Sequence, residues 1–233
     1  MFYGCSSLTN ASKLPATTLA DYCYNYMFSN CSSLTTLPEN LLPATTLATS
    51  CYNNMFSYCS SLTTLPENLL PATTLKTDCY NYMFSGCSSL TTLPENMLPA
   101  TALANSCYNY MFSYCSSLTN APKLPATKLA NSCYSNMFSN CSSLTNAPKL
   151  PATKLASYCY YYMFSYCSKL KEVYCNARYN ENGSEITTNI STSWLAGTPN
   201  TTDCIFYKNK DWSGPTTRGV HTIPSNWQIA TYS

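Results

Sequence analysis

Residues 31–58 read CSSLTTLPENLLPATTLATSCYNNMFSY, and residues 59–86 read CSSLTTLPENLLPATTLKTDCYNYMFSG. Nearly the same 28-residue sentence is written twice, and it decides the fold. The dipeptide Met-Phe marks its recurrences, with Met at 1, 27, 55, 83, 111, 137 and 163. The later copies are shorter: residues 115–140 read CSSLTNAPKLPATKLANSCYSNMFSN, 26 residues. The missing two residues lie between the prolines (LPENLLPAT against APKLPAT). A length change at that place marks a loop, where insertions are tolerated.

A period of this size indicates a solenoid, propeller or array. One unit is too short to bury a core, but stacked units share one, each touching only its neighbours. Like positions then form ladders along the axis. Leu8, Leu34, Leu62, Leu90, Leu118, Leu144 and Leu170 form one ladder, and Leu19, Leu47, Leu75, Leu103, Leu129 and Leu155 another. The Met and Phe columns supply two more. Within a unit, SLTTLP reads as a short strand stopped by proline, which cannot donate to a continuing ladder. LPATTL reads as a corner and an extended return. ATSCYNNMFSYC reads as a short helix, because its Cys, Tyr, Met, Phe and second Cys share about 140° of a helical wheel. The expected fold is therefore an α/β repeat solenoid over residues 1–175, a right-handed coil with a short strand and a short helix per 26–28-residue unit. Residues 176–233 break the repeat and read as a C-terminal α+β capping segment. In it ITTNISTSWLAG is a final helix, DCIFYKN and WQIAT are strands, and Trp194, Trp212 and Trp227 are core or a sugar-stacking platform.

The repeat MFSNCSSLTTLP (residues 27–38) resembles the Ala-Phe-x-x-Cys-x-x-Leu-x-x-Ile-x-Leu-Pro core of the BspA-like, treponemal-type bacterial leucine-rich repeats. The chain departs from that pattern in having Met for Ala and a longer coil. The resemblance covers residues 1 to about 175 and implies a leucine-rich-repeat coil. It also implies a surface or secreted protein of a host-associated bacterium, acting in adhesion to proteins or cells.

Composition narrows the function. Charged residues are 9% of the chain and the formal net charge is +2, against roughly 25% charged residues in ordinary soluble domains. No basic patch invites nucleic acid, no apolar run approaches the ~18 residues of a membrane span, and no signal peptide is visible. With one histidine, His221, and ten scattered carboxylates, no convergent nucleophile–base set is apparent. The chain is expected to be no enzyme and to carry no cofactor. Met1-Phe2 stands at mid-unit, so the chain is expected to continue N-terminally in further repeats, or to pack a partner, including a second copy, on its first coil.

Thirteen of the 15 cysteines lie in the repeat, as C-x7-C pairs from Cys23/Cys31 to Cys159/Cys167 with Cys5 leading. Eight residues of helix span roughly 12 Å, beyond the Cα separation of about 7 Å that a disulfide allows. The readings left are buried thiol ladders, disulfides between coils, or a metal site, for which the zinc-type spacing is absent. Cys175 and Cys204 are a further candidate pair. Glu39, Glu67 and Glu95 occupy the loop slot of the longer units, and Lys13, Lys123 and Lys149 that of the shorter ones. This is a solvated charge row, or, for the carboxylates, a Ca²⁺ row.

The unit varies at few places. Numbered from its Met as 0, positions −3, 0, +1 and +4 hold Tyr, Met, Phe and Cys, whereas −6, −5, −2, −1 and +3 vary. The helical wheel sets the varied positions opposite the buried stripe, so stacked coils merge them into one outward face. The candidate ligand-binding residues are Tyr22, Asp78 and Tyr158 at −5, with Asn25, Asn53, Asn81, Asn109 and Tyr161 at −2. Tyr26, Asn54, Tyr82, Tyr110, Asn136 and Tyr162 stand at −1, and Tyr58, Tyr114 and Tyr166 at +3. Every residue at the varied positions is Asn, Tyr, Ser, Asp, Thr or Gly, a palette that resembles an antibody paratope. All six types are reachable from an Asn codon by changing its adenines alone, which resembles the output of adenine-directed diversifying systems. Neutral drift among duplicated units is the other source of such variation. The expected function is a non-catalytic recognition or adhesion module for a protein or glycan on a cell or virion surface, located outside the cell or on a virion. The alternative is a structural spacer or assembly module without a specific ligand.

Overall fold

The computed structural model describes every residue except 187–189, 192, 214–217, 220–221 and 233. The coils stack in register. On the first side, SLTTLP and its equivalents meet through single parallel bridges, among them Asn10 with Thr36, Asn120 with Asn146 and Asn146 with Glu172. On the second, the PATTL segments do the same, as in Thr18 with Thr46 and Thr74 with Ala102. Strands lengthen only at the C-terminal end, where β1 (Glu172–Cys175), β2 (Ile205–Asn209) and β3 (Gln228–Tyr232) form one parallel sheet in that order. Glu172 pairs with Asn146 on one flank and Ile205 on the other, so this segment continues the stack with irregular coils.

The third side corrects the sequence reading. No helix forms in any unit among the described residues. The segment from −5 to +4 is a ribbon of overlapping turns. In the second unit, the N–H groups of Cys23, Asn25, Met27, Ser29 and Cys31 donate three residues back, at 3.1–3.3 Å. Those of Tyr22, Tyr24, Tyr26, Phe28 and Asn30 donate instead to Thr49, Cys51, Asn53, Met55 and Ser57 of the next coil, at 2.8–3.0 Å. Every fourth residue takes a left-handed backbone. Positions −5, −1 and +3 all have positive φ in the six complete ribbons, 52° to 63° for the non-glycine residues. The reason lies in the composition. Asn, Ser, Cys and Tyr are mediocre helix formers, Asn and Asp tolerate the left-handed region, and a neighbouring coil offers carbonyls to the N–H groups that an isolated helix would bond internally. The C-terminal ITTNISTSWLAG segment follows the same pattern where it is described. Ser193 has φ 52°, Gly197 has φ 72°, and Phe164 and Tyr166 donate to the carbonyls of Trp194 and Ala196. Trp194 thus stands where a repeat Met would, and Gly197 at +3.

The interior consists of the predicted ladders. Leu34 to Leu170 and Met55 to Met163 are fully buried, and only Met1 of the repeat methionines is exposed. The Phe rings stack from Phe2 to Phe164 with centroids 5.4–5.9 Å apart, and the −3 tyrosines from Tyr24 to Tyr160 at 5.8–6.2 Å. The cysteines are free thiols, buried except for Cys5 and Cys23. Each +4 thiol donates to the Phe carbonyl of the preceding coil: Cys59 to Phe28, Cys87 to Phe56, Cys115 to Phe84, at 3.2 Å. That carbonyl already receives the turn N–H, so a small sulfur with a weak donor fits the second lone pair. Burial pushes these thiols upward, to about 12 at Cys59, Cys115 and Cys167. Cys175 and Cys204 are both buried and free. The +2 serines pair their hydroxyls across coils at 2.8 Å, Ser29 with Ser57, Ser85 with Ser113 and Ser139 with Ser165. All three tryptophans are buried to within 1%, which makes them core and removes the sugar-platform reading; Trp212 and Trp227 donate to the carbonyls of Ile186 and Pro199.

Candidate recognition face

The turn ribbon sets the candidate residues in three rows. Because −5, −1 and +3 are the left-handed positions, the backbone itself turns most of their side chains out of the stack every fourth residue, with Ser50 and Asn136 covered. Nine of these positions hold tyrosine, with φ between 52° and 61°. A left-handed backbone costs an ordinary L-residue about 1–2 kcal/mol, and a bulky side chain there is an outlier. Asn, which bears this conformation more easily, stands at the same positions in sister coils (Asn30, Asn54, Asn136, Asn140).

Tyr22 and Tyr158 of the −5 row are exposed, whereas Asp78 is half-buried and receives Asn81 Nδ2 at 3.1 Å. Burial raises the Asp78 carboxyl above its ordinary value, and the Asn81 bond opposes that. In the −1 row Tyr26 is exposed, and Tyr82 and Tyr110 stack face to face, 4.4 Å between centroids and 5° between planes. Burial, and then the Tyr110 phenol, lift Tyr82 to about 12. Tyr162 meets Tyr161 edge-on at 4.5 Å, and Tyr161 meets Tyr158 in the same manner at 5.7 Å. In the +3 row Tyr58, Tyr114 and Tyr166 are exposed to nearly the same degree, 55, 54 and 58%.

The −2 row is less available than the wheel implied. Asn25, Asn53, Asn81 and Asn109 are half-buried, and Asn25, Asn81 and Asn109 turn Oδ1 inward without a partner. Asn54 donates to Asn53 instead. Asn136 at −1 is buried, its Nδ2 bonded to Ser135 Oγ at 2.9 Å. It is therefore no surface contact, because flanking coils close over it.

Sequence reasoning missed a contact between coils. A Cβ on Gly86 would stand 2.6 Å from Tyr58 Cδ1, and one on Gly197 equally close to Tyr166 Cδ1. Each tyrosine reaches sideways over the next coil and fills the space a side chain would need there. The signal was present: the +3 row runs Gly4, Asn30, Tyr58, Gly86, Tyr114, Asn140, Tyr166, and never holds two tyrosines in succession.

The other surfaces gather little chemistry. Glu95 pairs with Lys123 of the next coil at 2.9 Å, both about two-thirds exposed, so the charge row is solvated and adds little stability. Where the unit shortens, the retreating loop leaves an open groove of about 550 Å³ lined by Pro122, Pro125, Pro148 and Pro151 beside Lys123 and Lys149. Among the described residues no His, Cys, Asp and Glu side chains cluster as a metal site, and no helix is long and apolar enough to cross a membrane. His221 lies outside the described residues.

Among curated proteins none matches this sequence. Among solved structures the chain aligns with a leucine-rich repeat protein from Bacteroides ovatus, known from a crystal structure. The two share 15% identity over 98% of this chain and 76% of that one, with a TM-score of 0.28. The family model described as BspA type leucine rich repeat region, six copies, matches residues 1–97, 52–170 and 77–209. Its matches span nearly the whole ladder of Met-Phe units together with β1 and β2, and the chain belongs to the BspA-type leucine-rich repeat family.

Proposed function

We propose that this chain is a non-catalytic recognition module that binds a protein or glycan on a cell or virion surface through the tyrosine rows of the turn ribbon. The observation that carries this reading is the set of nine tyrosines held at positive φ on one outward side. Strain repeated where a cheaper residue is already in use elsewhere in the same repeat calls for a function. Tyrosine supplies broad, stiff contact area with few rotors, and the Ser and Asn between supply adaptable hydrogen bonds. Many modest contacts along one rigid stack then add within a single chain. BspA-type repeats fit a binding role and give no positive sign of catalysis, and an extracellular or virion location suits such a surface.

The test is an array of surface glycans and cell-surface proteins probed with the purified chain and with the Tyr82→Asn/Tyr110→Asn double variant. Asn is native to this row, so the variant keeps the backbone. Binding by the parent that falls at least tenfold in the variant is the expected result. An array that stays silent, or retention indifferent to both substitutions, sinks the proposal in favour of an inert spacer.

A further inference from the structure

The +3 row allows the ligand class to be narrowed, on the assumption that the recognition reading holds. Tyr58, Tyr114 and Tyr166 stand two coils apart, with Gly86 and Asn140 between them. The intervening residue is small for a physical reason: the Tyr58 ring occupies the place of a Gly86 side chain. The Tyr58 ring, and the Tyr166 ring over Gly197, are thereby laid against the next coil, and all three tyrosines are exposed to nearly the same degree. The spacing follows from the stack. Neighbouring coils hold like core rings 5.5 and 5.7 Å apart from Phe56 to Phe84 to Phe112, so two coils of the stack rise about 11 Å at the core. Asn140 uses Nδ2 on Ser139 Oγ at 3.0 Å, which leaves its carbonyl oxygen to accept. The row itself carries no charge.

We infer that the +3 row is a linear subsite array for a neutral, extended β-1,4-linked polysaccharide lying along the solenoid axis. Alternate pyranoses place their C–H faces on Tyr58, Tyr114 and Tyr166. The sugars between them fall beyond the edges of these rings, and the one beside Asn140 donates a hydroxyl hydrogen to its carbonyl oxygen. A row of exposed rings on every second coil fits a chain that repeats every second residue, and an uncharged row fits an uncharged chain. A folded protein epitope would have no reason to require this regularity.

The experiment is calorimetric titration of the full chain with cello-, manno- and chito-oligosaccharides of two to six units, and with maltohexaose as a coiled counterpart. The expected result is affinity that climbs with length up to five or six sugars for at least one β-1,4 series, with none for maltohexaose. Tyr58→Asn, Tyr114→Asn and Tyr166→Asn, conservative within this row, should each weaken the hexasaccharide about tenfold. Thr64→Ala on the strand side should leave it unchanged. Failure of all three β-1,4 series, or binding indifferent to chain length or to the three tyrosines, overturns the inference. If the oligosaccharides fail while a protein on the array binds and loses affinity in the Tyr82/Tyr110 variant, the recognition reading stands and only the glycan assignment falls. If both fail, both fall.

Discussion

The decisive residue-scale feature is the tyrosine with a left-handed backbone. Tyr22 has φ 59° and a ring that is mostly in solvent, so its side chain returns little for the strained backbone. Replacement by Asn, which holds this conformation at Asn54 and Asn136, removes the penalty. Tyr22→Asn should stabilise the fold by up to about 1 kcal/mol, measured as a raised midpoint in urea at unchanged slope. A lowered midpoint would show that the Tyr22 ring packs more than its exposure implies. The same argument separates two meanings of the varied positions. Their Asn, Asp, Gly and Ser content has a backbone reason at −5, −1 and +3. Their Tyr content does not, and that residue asks for a ligand.

Between one ribbon and the next, the governing fact is that coils constrain one another's surfaces. Tyr58 and Gly86 are a pair although 28 positions separate them. Gly86→Ala places a methyl group 2.6 Å from the Tyr58 ring and also strains a residue at φ 75°. It should cost about 2 kcal/mol. In a Tyr58→Asn background the clash vanishes and only the backbone strain remains, so the cost should drop to about half. A double-mutant cycle by chemical denaturation reads the coupling; additive effects would show that the ring moves aside freely. The ribbon also explains how a helical wheel reached mostly the right rows through the wrong structure. A four-residue period advances about 90° per residue against about 100° for a helix. Over ten residues that drift leaves the exposed rows recognisable but shifts the margins, and the margins are where the −2 asparagines turned out covered.

For the molecule as a whole, the ladders make alkali the weak direction. Burial holds the thiols of Cys59, Cys115 and Cys167 near 12, and that of Cys51 near 11, against an ordinary value of 9.0. Burial likewise raises the phenols of Tyr80, Tyr108 and Tyr160. In the folded state these groups keep their protons at a pH where the unfolded chain releases them. Their stabilising effect is therefore complete below about pH 9 and is lost as pH climbs through the folded-state values, each group adding about 1.4 kcal/mol per pH unit to the slope. The protein should remain native to about pH 9 and unfold steeply above it, well before pH 12. Fluorescence of the buried tryptophans Trp194, Trp212 and Trp227 reports the transition. A flat signal through pH 11 would contradict the burial of the cysteine columns.

Periodicity alone disclosed that coils stack, that Leu, Met, Phe and Cys form ladders, and that the varied positions gather on one side of the unit. Those conclusions need only a repeat and the demand that apolar columns leave water, both of which are local to the string of letters. Whether the CYNNMFS segment coils as a helix or zigzags as turns was decided by the tertiary structure. Alternate N–H groups find carbonyls on a coil 26 or 28 residues away, and no window within one unit contains that partner. The Tyr58–Gly86 and Tyr166–Gly197 fits, and the place of Trp194 as an eighth Met, depend on the same neighbour. A residue's surroundings in a solenoid are set as much by the next coil as by its own, so the sequence names the rows and the stack determines their shape.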